Sequence, residues 1–330
     1  MYHSFVPAAL RYIDQVARSG SVQGAARQLH VAASAINRQI LQLEAELGTA
    51  LFERMPRGMR LTSAGESIVT LARRWREDER RTVTDVRSLL GVNQGSVRLA
   101  VMDSHTSSFM PALVQDIART QPMVSLSVEV FGTEAASTAL QEGKVDVAAV
   151  FNHQAGPDMV ELWRAELPLG CIVASTHPLA AQRTTSLNEA LEHPVVIQSK
   201  SLAIRNLLEA RHSWLFSGSR GRLETNSLHL VKQLVGSGSY LAFTSELDAA
   251  PELIEGSLRF VLVRDRGADP QAISVVVDAR RPIDGIVRLV ADQLCLAAQD
   301  CLARVRQACG AQAQRAPGPL TRAARSRKTG

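Results

Sequence analysis

The chain has 330 residues, of which 45% are hydrophobic and 21% charged, with a formal net charge of +5. That length exceeds one ordinary core and predicts two or three domains, and the composition excludes collagen-like or wholly disordered chains. No apolar run approaches the ~20 residues that span a bilayer, and the opening residues lack the basic start of a secretory signal, so a cytoplasmic protein with no membrane partner is expected.

The charge is unevenly spread. Residues 1–90 hold 13 Arg and 9 acids, residues 91–303 are net acidic, and residues 304–330 hold 7 basic residues and no acid. A basic head on an acidic body is the distribution of a DNA reader joined to a sensing domain, although basic faces also occur on proteins that never touch nucleic acid. Cys171, Cys295, Cys301 and Cys309 match neither a zinc spacing nor a CxxC pair, and the histidines form no HExxH-like cluster. No metal and no bound cofactor is expected. The three late cysteines read as reduced thiols on a helix, with a redox sensor as the alternative.

From the N-terminus, Val6, Leu10, Ile13 and Ala17 recur at helical spacing. Ser21 is a candidate N-cap for a second helix whose inner face is Val22, Ala25, Ala26 and Leu29; the alanines permit a close helix crossing. His30 and Val31 make a turn, and a third helix is predicted from about Ala32 to Leu47, closing at Gly48. On it Ile36, Ile40, Leu43 and Leu47 form an apolar stripe, while Ser34 and Arg38 lie opposite, flanked by Asn37 and Gln42. No acid occurs between Asp14 and Glu44, so this helix can approach phosphates. Asn and Gln pair with adenine and Arg with guanine in the major groove, which makes it a recognition helix; the competing reading is a solvated face on a structural helix.

"LFERMPRGMRLT" predicts two short strands, 51–54 and 60–62, around Pro56 and Gly58, with Arg54, Arg57 and Arg60 on a wing that reaches backbone or minor groove. Ser63 and Glu66 fit a capping box opening a helix that runs to about Leu90. Ile68, Ala72, Trp75, Thr82, Val86 and Leu89 recur on it near heptad spacing, which predicts pairing with the same helix of a second subunit.

These residues resemble a LysR-type transcriptional regulator. "GSVQGAARQLHV" and "SAINRQILQLEAELGTALFERMPRGMRLTSAGE" keep the family's AA, LE, LG, LF-x-R and LT-x-AG elements in order and at spacing. The resemblance implies a winged helix-turn-helix over 1–62, a linker and dimerisation helix over 63–91, and an α/β effector-binding body of two subdomains over 92–303, like a periplasmic binding protein. It implies as partners double-stranded DNA at interrupted palindromic promoter sites, a small-molecule effector, dimers paired into tetramers, and RNA polymerase. The chain departs from the family where Ala32-Ala33 replace the common Ser-Gln and Asn37 replaces a frequent Ser. The base-facing set is therefore this chain's own: Ala32, Ala33, Ser34, Asn37, Arg38 and Gln42. Ala32 also leaves the helix start without a side-chain acceptor.

In the body, "GVNQGS" reads as a hinge, followed by strands over 97–101, 124–130 and 145–151 alternating with helices over 111–120 and 134–141, the rhythm of a helix-covered parallel sheet. Further strands are predicted over 169–174, 194–198, 222–225, 240–244, 259–263 and 273–277, with helices over 227–235 and from Pro282. The resemblance implies subdomains of 92–165 with 268–303, and of 166–267, crossing near 163–168 and 264–269. The tail, 304–330, reads as basic and disordered.

Ligands of open α/β sheets sit beyond the carboxyl ends of the strands. That rule selects Ser104, His105, Thr106, Ser107 and Thr133 on one side, and Gln198, Ser199, Lys200, Ser201, Thr225, Asn226 and Thr244 on the other. Most are small hydroxyl or amide residues at helix starts, which favour an anion, so a small carboxylate-bearing metabolite is expected. Each residue alone reads equally well as an ordinary loop polar group. "DSH" at 103–105 comes without a nucleophile elbow, and the GSGS at 236–239 lacks the lysine of a phosphate loop, so the chain is not read as an enzyme. Two rivals remain open here: an enzyme that uses the body as its cleft, and a DNA-binding architectural or co-regulatory protein whose body binds a protein partner.

Overall fold

The computed structural model describes residues 4–55, 58–89, 95–154, 156, 158–216, 223–281 and 283–315. The chain divides at Gln94/Gly95 into two compact units, with Asp284–Ile286 grouped with the first. Among the described residues no helix is long and apolar enough to cross a membrane.

The first unit comprises α1 (Ala8–Ser19), α2 (Val22–Leu29), α3 (Ala33–Leu47), the antiparallel hairpin of β1 (Phe52–Met55) and β2 (Gly58–Leu61), and α4 (Ser63–Leu89). Local chemistry sets each boundary. Gly20 ends α1 in the left-handed region, φ 68°, and the Ser21 hydroxyl then accepts the Gly24 N–H at 3.0 Å to start α2. His30 ends α2 at φ 55°, and α3 starts after Ala32 with no side-chain cap. Ile13, Val16, Ala25, Ala26, Ile36, Ile40, Leu51, Phe52 and Val69 form the buried core. Burial fades along α3, so Leu47, expected in its apolar stripe, is 46% exposed where the helix runs out of this small core.

Two expectations for α4 are corrected. Ser63 is already helical, and the cap is Thr62, whose hydroxyl accepts the Gly65 N–H at 3.0 Å and donates to the Ala50 carbonyl at 2.8 Å. Ile68 and Ala72, assigned to a subunit interface, pack within this unit beside Val6 and Leu10. Trp75 and Val86 are exposed, as is Leu71 one turn before Trp75. The side chain of Leu89 lies outside the described residues. Asp14, buried on α1, receives Arg18, Arg73 and Arg76 at 3.0, 2.9 and 3.0 Å, which clamps α4 onto α1.

The second unit has two lobes. The first contains β3 (Gly95–Val101), α5 (Asp103–Ser107), α6 (Met110–Thr120), β4 (Val124–Val130), α7 (Thr133–Gln141), β5 (Val147–Phe151) and β6 (Met159–Leu167). The second contains β7 (Gly170–Ala174), β8 (Thr184–Thr185), α8 (Leu187–Ala190), β9 (Ile197–Gln198), α9 (Ala203–His212), β10 (Glu224–Thr225), α10 (Leu228–Gly236), β11 (Ala242–Thr244), α11 (Ala250–Glu255) and β12 (Leu258–Val263). The chain then returns through β13 (Gln271–Asp278) and ends in α12 (Gly285–Arg315).

The first sheet, ordered β4-β3-β5-β13-β6, is mixed and not parallel throughout: β3 is parallel to β4 and β5, whereas β13 is antiparallel to β5 and β6. The second sheet is ordered β11-β7-β12-β8, with β7 antiparallel to both neighbours, and β9 and β10 form a separate parallel pair. Residues 163–167, expected in the first crossing, belong to β6 and pair along β13 from Trp163↔Val275 to Leu167↔Gln271. The lobes therefore part at Pro168 and rejoin at Gln271. The expected tail from 304 is also corrected: α12 continues to Arg315, Val305 is buried, and Arg306 donates to the Glu246 carboxylate and the Glu166 carbonyl, each at 2.6 Å. Residues 316–330 lie outside the described residues.

Candidate functional site

In the first unit, the wing is pinned from three sides. The Glu44 carboxylate accepts the Leu51 and Phe52 N–H groups at 2.7 and 3.3 Å. The Met59 N–H donates to the Gly20 carbonyl at 2.8 Å, and Gly58, φ 132°, lies so near that a Cβ there would sit 2.5 Å from that oxygen. A Cβ on Gly65 would sit 2.1 Å from the Leu51 carbonyl oxygen, so α4 crosses the wing at backbone contact. Sequence reading missed Glu44 and Gly65 as positioning residues, although both fall in the LE and AG elements.

With the wing held, α3 presents Ala32, Ser34, Arg38 and Gln42 to solvent, with Ala33 and Asn37 half-buried and Arg60 exposed on β2. Gln42 donates to Glu46 at 3.0 Å, a contact it must release to meet a base. Ser34 and Arg38 lie one turn apart, spaced to meet successive base edges. The Arg54 side chain and Arg57 lie outside the described residues.

In the second unit, a pocket opens where the two lobes part. Its water-accessible volume is about 30 Å³, within about 320 Å³ of space that includes the open mouth, and Met102, Phe151, Leu202, Ile204 and Leu228 form apolar walls. Its polar lining comes from Asp103, Ser104, Gln198, Asp248 and Gln271. Ser104, Gln198 and Gln271 are 3%, 6% and 1% exposed. Yet Ser104 Oγ, Gln198 Oε1 and both amide atoms of Gln271 have no hydrogen-bond partner in the protein. Buried polar groups in native interiors are nearly always paired, so such a cluster facing a cavity is open to pairing with water or with a ligand.

Of the expected effector contacts, Ser104 and Gln198 line this inner pocket, and Thr133, Lys200 and Ser201 line a wider outer cleft that shares Met102, Phe151 and Ala203 with it. The others are corrected. His105 is fully buried against Phe109 and Phe151, and its Nδ1 accepts the Met102 N–H at 3.2 Å. Burial drives its pKa down to about 3, only slightly opposed by the Ala149 carbonyl; it is a neutral core histidine and no base for Ser104. Thr106 donates to its own turn at Asp103, and Ser107 accepts from Lys232 at 3.4 Å. Ser199 bonds Ser201, and Thr225 accepts the Ser227 N–H, while Asn226 is exposed away from the lining. Thr244 is fully buried and orients Asp248, one layer behind the pocket. Asp248 was missed because it lies four residues beyond Thr244, the last residue selected at that strand end, and Gln271 because it lies at the start of its strand and not beyond the end.

Burial raises the pKa of Cys171 to about 12, and chiefly burial raises those of Cys295, Cys301 and Cys309 to about 11. At neutral pH all four are protonated, the opposite of an activated sensor thiol.

A winged helix-turn-helix whose α3 presents polar side chains, and a two-lobed unit with a partnerless polar pocket, define a DNA-binding regulator with a ligand-binding domain. Family models agree. Residues 7–66 match the bacterial regulatory helix-turn-helix protein of the lysR family, and residues 91–297 match the LysR substrate binding domain. The chain belongs to the LysR family of transcriptional regulators. It is 32% identical to a probable nitrogen assimilation transcriptional activator of Synechococcus elongatus, over 71% of this chain and 75% of that one. It is 30% identical to a RuBisCO operon transcriptional regulator of Allochromatium vinosum, over 72% and 78%. Among solved structures, a full-length OxyR variant from Pseudomonas aeruginosa superposes with a TM-score of 0.63 at 20% identity, covering 90% of this chain and 96% of that one. HinK from the same organism gives 0.51 at 19% identity, over 88% and 97%; both likenesses concern the fold.

Proposed function

We propose that the chain activates or represses transcription in response to a small metabolite bound in the inner pocket. One observation carries this reading: the partnerless, nearly inaccessible Ser104, Gln198 and Gln271 converge on one cavity from both lobes and the return crossing. A ligand that satisfies them ties the lobes together, and it shifts DNA binding to the extent that it prefers one arrangement of the chain over another.

Ser34, Asn37 and Arg38 are the base readers, with Gln42 joining once freed from Glu46, and Arg60 is a backbone or minor-groove contact on the wing. Leu71, Trp75, Thr82 and Val86, all exposed on α4, form the stripe for a second copy. This replaces Ile68 and Ala72 in the dimer seam. Dimers paired into tetramers would meet the half-sites of an interrupted palindrome, and RNA polymerase is the partner through which activation would act.

The test is capture of genomic DNA fragments by the full chain, with and without metabolite extracts, at two salt concentrations. Enrichment of a few interrupted palindromes that changes with extract supports the reading. Uniform recovery that depends on salt alone, with or without extract, refutes it.

A further inference from the structure

We infer that the inner pocket selects a small metabolite with a positively charged hydrogen-bond-donor head, an ammonium-type group, over one with a carboxylate head. This inference rests on reading that pocket as the effector site, and it reverses the anion expected from the hydroxyl- and amide-rich loops.

The charge of the lining decides the matter. Asp103 and Asp248 both line the pocket, and no Lys, Arg or His does. Asp248 is 6% exposed, and its Oδ2 accepts from the Thr244 hydroxyl, the Ser245 hydroxyl and the Ser245 N–H. Three donors converge on that one oxygen and fix the direction of the carboxylate. The nearby cations of the second lobe are engaged elsewhere. Lys232 pairs with Glu252 at 2.8 Å. Arg205 lines the neighbouring apolar pocket, where it donates to the Gln198 carbonyl at 3.3 Å and lies between Glu209 at 3.5 Å and Glu224 at 3.9 Å, with its guanidinium 3.7 Å from the Phe216 ring centroid.

The contributors of opposite sign in the lining are helix amino ends, of α9 at Leu202–Ile204, of α10 at Leu228 and of the short α5 at Met102–Ser104. A full-length helix end supplies roughly half a positive charge, so α9 and α10 together offset about one of the two lining carboxylates, and Asp103 with Asp248 keeps the lining acidic. The partnerless atoms match the same head. Gln198 Oε1 and Gln271 Oε1 can only accept, Gln271 Nε2 can only donate, and Ser104 Oγ can do either. An ammonium group has three N–H bonds to distribute among Asp248 and these oxygens; a carboxylate in its place would face two carboxylates and two amide oxygens, with the Gln271 amide N–H and the Ser104 hydroxyl as the partnerless donors left to it.

Three probes of similar size vary the head charge: propylammonium, propionamide and propionate, titrated into the full chain by ligand-observed NMR. The expected order is propylammonium, propionamide, propionate, with at least a ten-fold difference between the first and last. Asp248→Asn is expected to remove most of the ammonium preference. Gln271→Glu, which adds a carboxylate without touching the Asp248 hydrogen bonds, is expected to enlarge it several-fold. If propionate binds tightest and loses affinity in Gln198→Ala, the pocket remains an effector site and the charge inference is overturned. An ammonium preference that survives both Asp248→Asn and Asp103→Asn also overturns it. If no probe responds to Gln198→Ala or Gln271→Leu, the pocket is not the effector site, and both readings fall.

Discussion

The two units bury polar side chains to opposite ends. Asp14 in the first unit is 2% exposed and meets three arginines. Gln271 in the second is 1% exposed and meets none of its possible partners. A buried polar group that is fully paired specifies a structure, and one left unpaired beside a cavity holds free energy in reserve for a ligand. The head is thus a finished scaffold whose function lies on its exposed α3 face, whereas the cleft is unfinished until it is filled.

That contrast can be broken most forcefully at Gly65. Gly65→Val forces a side chain onto the Leu51 backbone, and a loss of about 4 kcal/mol is expected in the unfolding of the first unit. DNA binding should vanish while ligand-induced thermal stabilisation of the second unit persists, and loss of both would contradict the independence of the two. Next, Asp14→Ala should cost about 3 kcal/mol by leaving three arginines crowded together, the half-exposed guanidinium groups keeping the value from being larger. Gln271→Leu sharpens the comparison from the other side: removing a partnerless amide should stabilise the free protein by about 1 kcal/mol or leave it unchanged, while abolishing effector response. Denaturation of both variants with and without ligand checks the pair, and a Gln271→Leu loss like that of Asp14→Ala would make the cleft an ordinary scaffold.

His105 tests whether the body also contains finished scaffold. Its folded pKa of about 3 lies below its unfolded value near 6.5, so the unfolded chain binds the extra proton. The stability it contributes is complete above about pH 6.5 and is lost as pH falls towards 3, by about 2 kcal/mol near pH 5. His105→Gln should flatten the stability profile of the second unit over that window; an unchanged slope would assign the acid sensitivity elsewhere. Finally, Arg38→Ala should cost ~1–3 kcal/mol at a captured palindrome and much less on random duplex, read as a difference of titrations at one salt concentration. An equal loss on both would make Arg38 a phosphate contact.

How much could be read beforehand follows the same division. The caps at Ser21 and Gly48, the turn at His30 and the apolar pair Ile36 and Ile40 are legible because helix termini and helical stripes are local chemistry. The capping of α4 was misplaced by one residue because Ser63 and Thr62 offer the same hydroxyl, and only the contact of Thr62 with Ala50 decides between them. β6 was not legible: "MVELWRAEL" intersperses charges along an edge strand that needs few apolar residues. Ser104 and Gln198 were found from the rule that ligands meet strand ends, but that rule equally admitted His105, whose ring turns into the core.

By itself the sequence determined that this chain has a winged helix-turn-helix head with a polar-faced third helix, a long following helix, and an α/β body, because periodicity, capping and turn residues act over a few neighbouring positions. Only the tertiary structure decided which α4 residues remain free for a partner, and that Asp248 and Gln271 join Ser104 and Gln198 around a pocket without a cation. Those outcomes depend on which side chains meet after lobes built from distant segments close on one another, and the sign of charge in a cavity is a sum over all of them.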